Sequence, residues 1–510
     1  MHILIINFEL NGIDRTQYEG ACAEIAEHFA AIPVTTPDRF PPSTRTMRAD
    51  AEAKAPVADK LSAYLAVLKR EAEVYGARPK VEIKCDFSYT LSLPASKVDR
   101  DIVTVPEAFA GAAVAPVKAL ARAVGAAPKE EGKNAITEFP VLQDVQCAFR
   151  PGEITLVLAP PGHGKTALLK ALAGCLPAGS LPDSAVTYGG LTAAELEAKG
   201  TSVNRLCAYV EQVDTHLPFL TVRETAAFSH DNSCPPPPDT AEGRALHADK
   251  LEAVTSLLAL EGCIDTIIGD DLVRGVSGGE KKRVTIAETL VTNARVLCMD
   301  EISTGLDAAV TFNIIAALRA WARSTDGTAV VALLQPTPEV FEQFDNLLLL
   351  REGAPVYHGP RAEAAAYFGA LGFAAPAPGG GEDVADWLVD LVASPAKALA
   401  KGSAADVRAP TSAPLTTKAL KEAWRASGAP FEKSTATFAR DGGRDVELAT
   451  DFAKKQYGVS FPHGFYEQFL WVLKRQYQIT IRNKLFMTAR VGAAVMTSLI
   501  LGSVWFDLPA

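Results

Sequence analysis

Residues 154–166 read ITLVLAPPGHGKT, a β-branched run that passes straight into Ala159, Pro160, Pro161, Gly162, His163, Gly164, Lys165 and Thr166, with the helical stretch ALLKALAG behind it. A strand, a loop of small residues and a helix start, in that order, make a cradle for phosphate. The loop from Pro161 through Gly162, His163, Gly164, Lys165, Thr166 and Ala167 would wrap the β- and γ-phosphates with its free N–H groups. Lys165 would neutralise charge and the Thr166 hydroxyl would ligate Mg²⁺, while the His163 side chain reads as solvent-facing. Ala159 stands where the pattern G-x-x-x-x-G-K-[ST] has its first glycine. If that position needs positive φ, alanine costs about 1 kcal/mol and weakens nucleotide binding. Downstream, residues 296–301 (VLCMDE) read as a buried strand ending in two carboxylates, Asp300 to hold Mg²⁺ and Glu301 to polarise a water. Together the two segments predict hydrolysis of a nucleoside triphosphate, a chemistry that kinases, motors and GTPases share.

The class comes from the residues between them. The phrase VSGGEKKR at 276–283, followed by the helical VTIAETLVTN, resembles the signature of the ABC ATPases. It lies between Gln212, in AYVEQVDTH, and the run Ser303, Thr304, Gly305, Leu306, Asp307, which are the counterparts of that family's Q-loop and D-loop in family order. The surrounding phrases LPFLTVRETAAFSH, MDEISTGLDAA and LLQPTPEVFEQFDNLLLL are similar to the first nucleotide-binding domain of pleiotropic-drug-resistance transporters, full-size eukaryotic members of the ABCG subfamily. The likeness runs on through YFGALGF, ADWLVDLVAS, FYEQFLWVLKRQYQITIRN and LGSVWFDLP, and covers roughly residues 78 to 510 apart from one linker.

That resemblance implies ATP and Mg²⁺ as cofactors. It implies that Thr166, Asp300 and Gln212 surround the metal and that Glu301 and Gln212 act on the attacking water. Ser277, Gly278, Gly279, Glu280 and Asp307 would meet the ATP held by a second nucleotide-binding domain. Phe139, upstream of the phosphate loop, is a candidate for stacking on adenine and equally a core phenylalanine at a strand start. The family's switch histidine precedes a Gln-Pro pair, here Gln335-Pro336, and the residue in its place is Leu334. Leucine cannot hydrogen-bond a γ-phosphate, so the resemblance implies a site that binds ATP and hydrolyses it slowly.

Elements must hold these residues in place. Short β-branched runs alternate with helical segments between residues 152 and 358, which predicts an α/β fold: a P-loop NTPase domain of ABC type with a largely parallel sheet. Alternating residues at 80–93 and 139–149 predict two further strands leading into it. The expected organisation is an extension of unreadable role at 1–77, a lead-in at 78–134 and the nucleotide-binding domain at 135–394. A flexible linker at 395–458, an amphipathic connecting helix at 459–489 and one transmembrane helix at 490–507 would follow.

Composition narrows the class further. A formal net charge of −10 argues against a nucleic-acid binder that works through a general basic field. The eight cysteines are scattered, with no C-x-x-C pair and no Cys/His cluster at zinc spacing, as a reduced cytosolic compartment would favour. Residues 491–506 carry no charge, and Arg482, Lys484 and Arg490 flank them without an acid between Trp471 and Arg490. The positive-inside rule keeps that flank cytosolic and sends the apolar run outward. The expectation is therefore an integral protein of a eukaryotic membrane, the plasma membrane by resemblance, with a cytosolic ATPase domain. Its partners would be a second nucleotide-binding domain, a membrane domain, the lipid membrane and a hydrophobic transport substrate such as a lipid or drug. One helix cannot enclose a translocation path, so the chain reads as the N-terminal half of an exporter subunit. A partner-dependent regulatory module and a soluble ABC ATPase are the alternatives.

Overall fold

The apolar runs at Ile154–Leu158, Val296–Asp300 and Thr328–Ala332 lie at the centre of a sheet, with every residue in them buried. Parallel strands covered on both faces require this. The computed structural model describes residues 57–75, 79–94, 136–234, 241–376, 383–395, 416–427, 454, 456–458 and 463–505. Most of the N-terminal extension, part of the lead-in and parts of the linker lie outside them.

The strands are β1 (Ile83–Pro94), β2 (Ile136–Phe149), β3 (Ile154–Leu158), β4 (Val186–Tyr188), β5 (Leu191–Thr192), β6 (Cys207–Val210), β7 (Val296–Asp300), β8 (Thr328–Ala332), β9 (Asn346–Arg351) and β10 (Ala354–Pro360). The helices of eight or more residues are α1 (Val57–Tyr75), α2 (Lys165–Leu172), α3 (Val222–Ser233), α4 (Ala241–Leu257), α5 (Gly278–Leu290), α6 (Ala308–Thr325), α7 (Val384–Ala393), α8 (Thr417–Ala426), α9 (Phe465–Arg482) and α10 (Lys484–Trp505).

The buried runs form the expected parallel sheet, whereas the two alternating strands belong to a separate sheet of their own. One is antiparallel, in the order β2-β1-β4-β5, and the other runs β10-β9-β3-β8-β7-β6. In the second, β6, β7, β8, β3 and β9 are parallel and β10 closes the edge antiparallel to β9. Its residues alternate between two cores. Leu156, Leu297, Met299, Val331 and Leu347 join a core shared with the long helices, whereas Val157, Cys298, Val330 and Leu348 join one shared with α2 and the antiparallel sheet. The register sets the active ends level, with Asp300 beside Ala332 and Leu158 beside Leu349.

Three expectations need correction. Within the supposed extension, α1 belongs to the domain: Tyr64, Val67 and Leu68 sit in the helical core. Ion pairs also fix it, Lys60 to Glu261 at 2.5 Å, Arg70 to Asp249 at 2.8 Å and Lys250 to Glu71 at 3.1 Å. The Ala-rich sequence hid this, because its few large apolar residues are spaced for one helix face and carry no motif. Within the supposed linker, α8 is docked through buried Leu420 and Trp424, the latter 4.8 Å from the Tyr357 ring. Tyr457 is buried as well and donates to the Asn293 carbonyl at 2.6 Å.

The third correction concerns the C-terminal helices. The connecting helix ends at Arg482 and the apolar helix begins at Lys484, six residues earlier than expected. Asn483 separates them: its N–H donates to the Ile479 carbonyl at 3.0 Å and its side-chain oxygen accepts from the Phe486 N–H at 3.0 Å. Among the described residues α10 is the one helix long and apolar enough to cross a membrane, over Lys484–Ser503, and none of that stretch is buried against the rest of the chain.

Candidate nucleotide site

β3 delivers the chain at Leu158 into a loop that turns on Gly162 and Gly164, at φ +78° and +92°. Gly164 is obligatory on two counts. Its φ suits glycine, and a Cβ there would lie 2.9 Å from Leu142 Cδ2 and 3.0 Å from the Val141 carbonyl. Ala159 is buried and is not among the residues with positive φ, so the alanine in place of the first glycine carries no backbone strain. Gly164 also precedes α2 without a side-chain cap, so the first N–H groups of that helix remain available for an anion.

Lys165 is buried and donates to the Ala159 carbonyl at 2.7 Å, with Glu301 Oε1 3.9 Å away. Burial holds its ammonium below the ordinary lysine pKa, against the opposing pull of Glu301 and Asp300. Asp300, at the end of β7, is fully buried. Its Oδ2 accepts from Thr166 Oγ1 at 2.5 Å and from the Tyr209 hydroxyl at 3.3 Å. Its Oδ1 is buried with no hydrogen-bond partner among the described residues. A buried carboxylate oxygen without a partner, beside a threonine hydroxyl, is the hard-oxygen donor set that fits Mg²⁺.

Glu301 follows in a left-handed conformation, φ +49°, fixed by its N–H donating to the Ala332 carbonyl at 3.0 Å. That backbone costs on the order of 1 kcal/mol for a residue with a Cβ. Its Oε2 accepts from Gln212 Nε2 at 2.5 Å. The Gln212 amide, expected beside the metal, is thus held by Glu301 in this state. Leu334 lies two residues beyond Ala332, the last residue of β8, and is exposed.

The expected signature residues form a separate cluster at the start of α5. Ser277 caps this helix: its Oγ accepts from the Glu280 N–H at 3.3 Å, and the Glu280 carboxylate accepts from the Ser277 N–H and hydroxyl at 2.7 and 2.8 Å. Burial raises the Glu280 pKa, yet those bonds and Arg283 outweigh it and bring the group below its ordinary value. A Cβ on Gly278 would meet open space, whereas one on Gly279 would come within 3.1 Å of the Gly305 carbonyl. The signature helix and the D-loop counterpart therefore touch through glycine. Asp307 caps α6, accepting from the Val310 N–H at 2.7 Å.

His163 is not simply solvent-facing. Its Nδ1 accepts from the Glu352 N–H at 3.2 Å, tying the phosphate loop to the turn between β9 and β10. Phe139 is exposed on β2, two residues before Val141, whose carbonyl lies against Gly164. Phe139 is therefore not a member of either core.

Two further residues bear on the site. Tyr209 donates to Asp300, and burial followed by Asp300 itself raises the phenol pKa, which keeps it a donor. Lys282 on α5 is buried, donates to the Gln212 carbonyl at 2.8 Å and pairs with Asp214 at 2.9 Å, so the signature helix holds the Gln212 segment by its backbone. Tyr209 precedes Gln212 by three positions on the same strand end, a proximity the sequence offers; Lys282 carries no such signal.

A family profile described as ABC transporter matches residues 142–304. ABC transporter G family member 53 of Oryza sativa subsp. japonica is 36% identical over 363 residues, which are 66% of this chain and 24% of that protein. Pleiotropic drug resistance protein 1 of Petunia hybrida is 40% identical over 280 residues, 50% of this chain and 19% of that protein. The match thus spans about a quarter or less of the length of these relatives. Among solved structures, a nucleotide-free ATP-binding cassette from an ABC transporter aligns at 22% identity over 44% of this chain and 86% of that one, with a TM-score of 0.34.

Proposed function

We propose, from the premise that this chain carries the ATPase domain of an ABC transporter and has G family members among its relatives, that the domain binds Mg-ATP against a second such domain and passes the closure to a membrane domain exporting hydrophobic compounds such as lipids or drugs. The observation that carries this reading is the fork of Arg482 onto Glu224. Nη1 meets Oε2 at 2.5 Å and Nη2 meets Oε1 at 2.7 Å, with a further bond from Nη1 to the Phe219 carbonyl at 2.9 Å. Glu224 lies near the start of α3, the helix that follows the Gln212 segment, and Arg482 ends the helix that leads into α10. Arg475 adds a cation–π contact over Phe228 at 4.0 Å.

Each residue has a task in this scheme. The N–H groups of the loop and α2 bind phosphate oxygens, Lys165 leaves the Ala159 carbonyl for the nucleotide, and Thr166 and Asp300 hold the divalent ion. Mg²⁺, when bound, neutralises phosphate charge. Glu301 positions the water once Gln212 releases it. Ser277, Gly278, Gly279 and Glu280 complete the partner's site, and Asp307 lies near that contact. With Leu334 where a hydrogen-bonding side chain would serve, this site clamps nucleotide more than it turns it over. The basic flank of α10 supports a cytosolic position for the domain, with α10 in a membrane, the plasma membrane by analogy with the resemblance.

The test is direct. The purified chain in detergent should bind a fluorescent ATP analogue in the presence of Mg²⁺, and Lys165→Ala should abolish it. Equal affinity in the variant would overturn the assignment of the phosphate loop, and recovery of the chain in the soluble fraction of cells would overturn the membrane part.

A further inference from the structure

Away from the nucleotide site, the packing of α3 against α4 brings a neighbouring pair of side chains onto a third from further along the chain. His230 and Asp231 come from α3 and His247 from α4. His230 Nδ1 lies 2.9 Å from His247 Nε2, which lies 2.8 Å from Asp231 Oδ1, and the two remaining atoms are 4.0 Å apart. The imidazoles meet at 90° with centroids 3.8 Å apart. No zinc motif has this spacing, which is why the sequence did not reveal it.

The arrangement is short of hydrogen. His247 Nε2 lies close to both His230 Nδ1 and Asp231 Oδ1; if it donates its one N–H to the carboxylate it has no lone pair left for an N–H on His230, so in either tautomer one of the two contacts lacks its proton. Three donor atoms converging from two helices would be satisfied together by a cation. We propose that His230, Asp231 and His247 form a binding site for a divalent transition metal, Zn²⁺ in particular, with water completing the coordination.

The donor chemistry sets the class. Two imidazoles and a carboxylate suit a borderline metal such as Zn²⁺ and leave one tetrahedral position open; Mg²⁺ and Ca²⁺ prefer oxygen alone. Bonds of about 2.0–2.2 Å in a tetrahedron separate ligand atoms by roughly 3.3 Å, so the two close pairs need to part by about half an ångström. The half-exposed His247 and Asp231 have room to do so, with side-chain exposures of 29% and 40%. His230 is buried. Burial first, then Lys250 and His247, hold its imidazole well below the ordinary pKa, in the neutral form that a ligand needs. The Lys250 ammonium is balanced by Glu71 at 3.1 Å and by Asn293 Oδ1 at 2.7 Å. Asp231 also lines a cleft of about 160 Å³ between α3 and α9, bordered by Phe228, Trp471 and Arg475. A metal here would cross-link α3, the helix that grips α9, to α4.

An untagged chain, purified in detergent, stripped with chelator and kept in excess Mg²⁺ to fill hard-oxygen sites, is titrated with Zn²⁺ against a chromophoric indicator. Wild type should bind one more tight equivalent than His247→Asn or Asp231→Asn, whose affinity for that equivalent should fall on the order of tenfold or more. Co²⁺ should give a tetrahedral visible band in wild type that His247→Asn lacks. Both substitutions are at half-exposed positions, and retained binding of the ATP analogue reports that they fold. Equal stoichiometry and affinity in wild type and both folded variants would overturn the site, as would the absence of any Zn²⁺ binding above the indicator's range.

Discussion

Gln212 Nε2 and Glu301 Oε2 lie 2.5 Å apart, so the amide and the carboxylate proposed to act on one water are bonded to each other. On that proposal, hydrolysis needs the contact to open. Glu301→Gln is expected to retain ATP binding, because the loop and the Lys165 bond to the Ala159 carbonyl are kept and only the 3.9 Å contact of Lys165 to a charged carboxylate is lost, and to lose hydrolysis at this site by about 10² or more. Single-turnover assays with radiolabelled ATP beside equilibrium binding separate the two; unchanged turnover would remove Glu301 from the mechanism.

Leu334 leaves a gap in hydrogen bonding, and it is exposed where β8 ends. Leu334→His is expected to raise turnover roughly tenfold, well short of the 10²–10⁴ that a fully placed acid or base supplies, with little change in ATP affinity. A variant whose turnover matches wild type would show that the slow step lies elsewhere.

Gly164→Ala places a methyl against Leu142 and the Val141 carbonyl at φ +92°. About 1–3 kcal/mol of stability should go, and the loop should lose its fit for phosphate. Thermal unfolding and nucleotide binding are expected to fall together, whereas Ala159→Gly should leave both nearly unchanged, since Ala159 carries no positive φ.

Arg482→Lys is expected to loosen α9 almost as much as Arg482→Ala, because one ammonium cannot fork onto both Glu224 oxygens. A double-mutant cycle with Glu224→Gln should give a coupling of about 1 kcal/mol, as suits a pair that solvent partly screens. Hydrogen exchange in α9 provides the readout, and strictly additive effects would contradict the pairing.

His163 supplies a pH test. Burial, with Arg351 and Lys165, holds its imidazole below the ordinary value of 6.5, against the pull of Glu352. A lowered native pKa means that the bond from the Glu352 N–H contributes fully above pH 6.5 and is lost as pH falls through the depressed value. Relative to His163→Gln, wild type should therefore lose thermal stability below pH 6.5 and hold a constant difference above it.

How much the sequence told depends on how local each feature is. The phosphate loop, the strand ending in Asp300 and Glu301, and the helix start at Ser277 were legible because neighbours in the chain make them. The hold of Lys282 on the Gln212 carbonyl was not, since it bridges residues 70 apart in sequence. Nor was the docking of α1 and α8, where Tyr64, Leu420 and Trp424 are buried among residues distant in the chain. The His230, Asp231 and His247 cluster depends on how α3 and α4 pack, which no spacing encodes.

α9 runs antiparallel to α3 and is strapped to it at both ends, by His463 Nε2 on the Cys234 carbonyl at 2.9 Å and by Arg482 on Glu224. With 18 residues at 1.5 Å each, it is a bar about 27 Å long. The elbow at Asn483 has its N–H bonded to the end of α9 and its side-chain oxygen bonded to the start of α10. A bar held at both ends is tied to the movement of the helix beneath it. On the proposed reading, a movement of α3 would reach α10 as a turn of this bar, with α10 as the far arm of a crank.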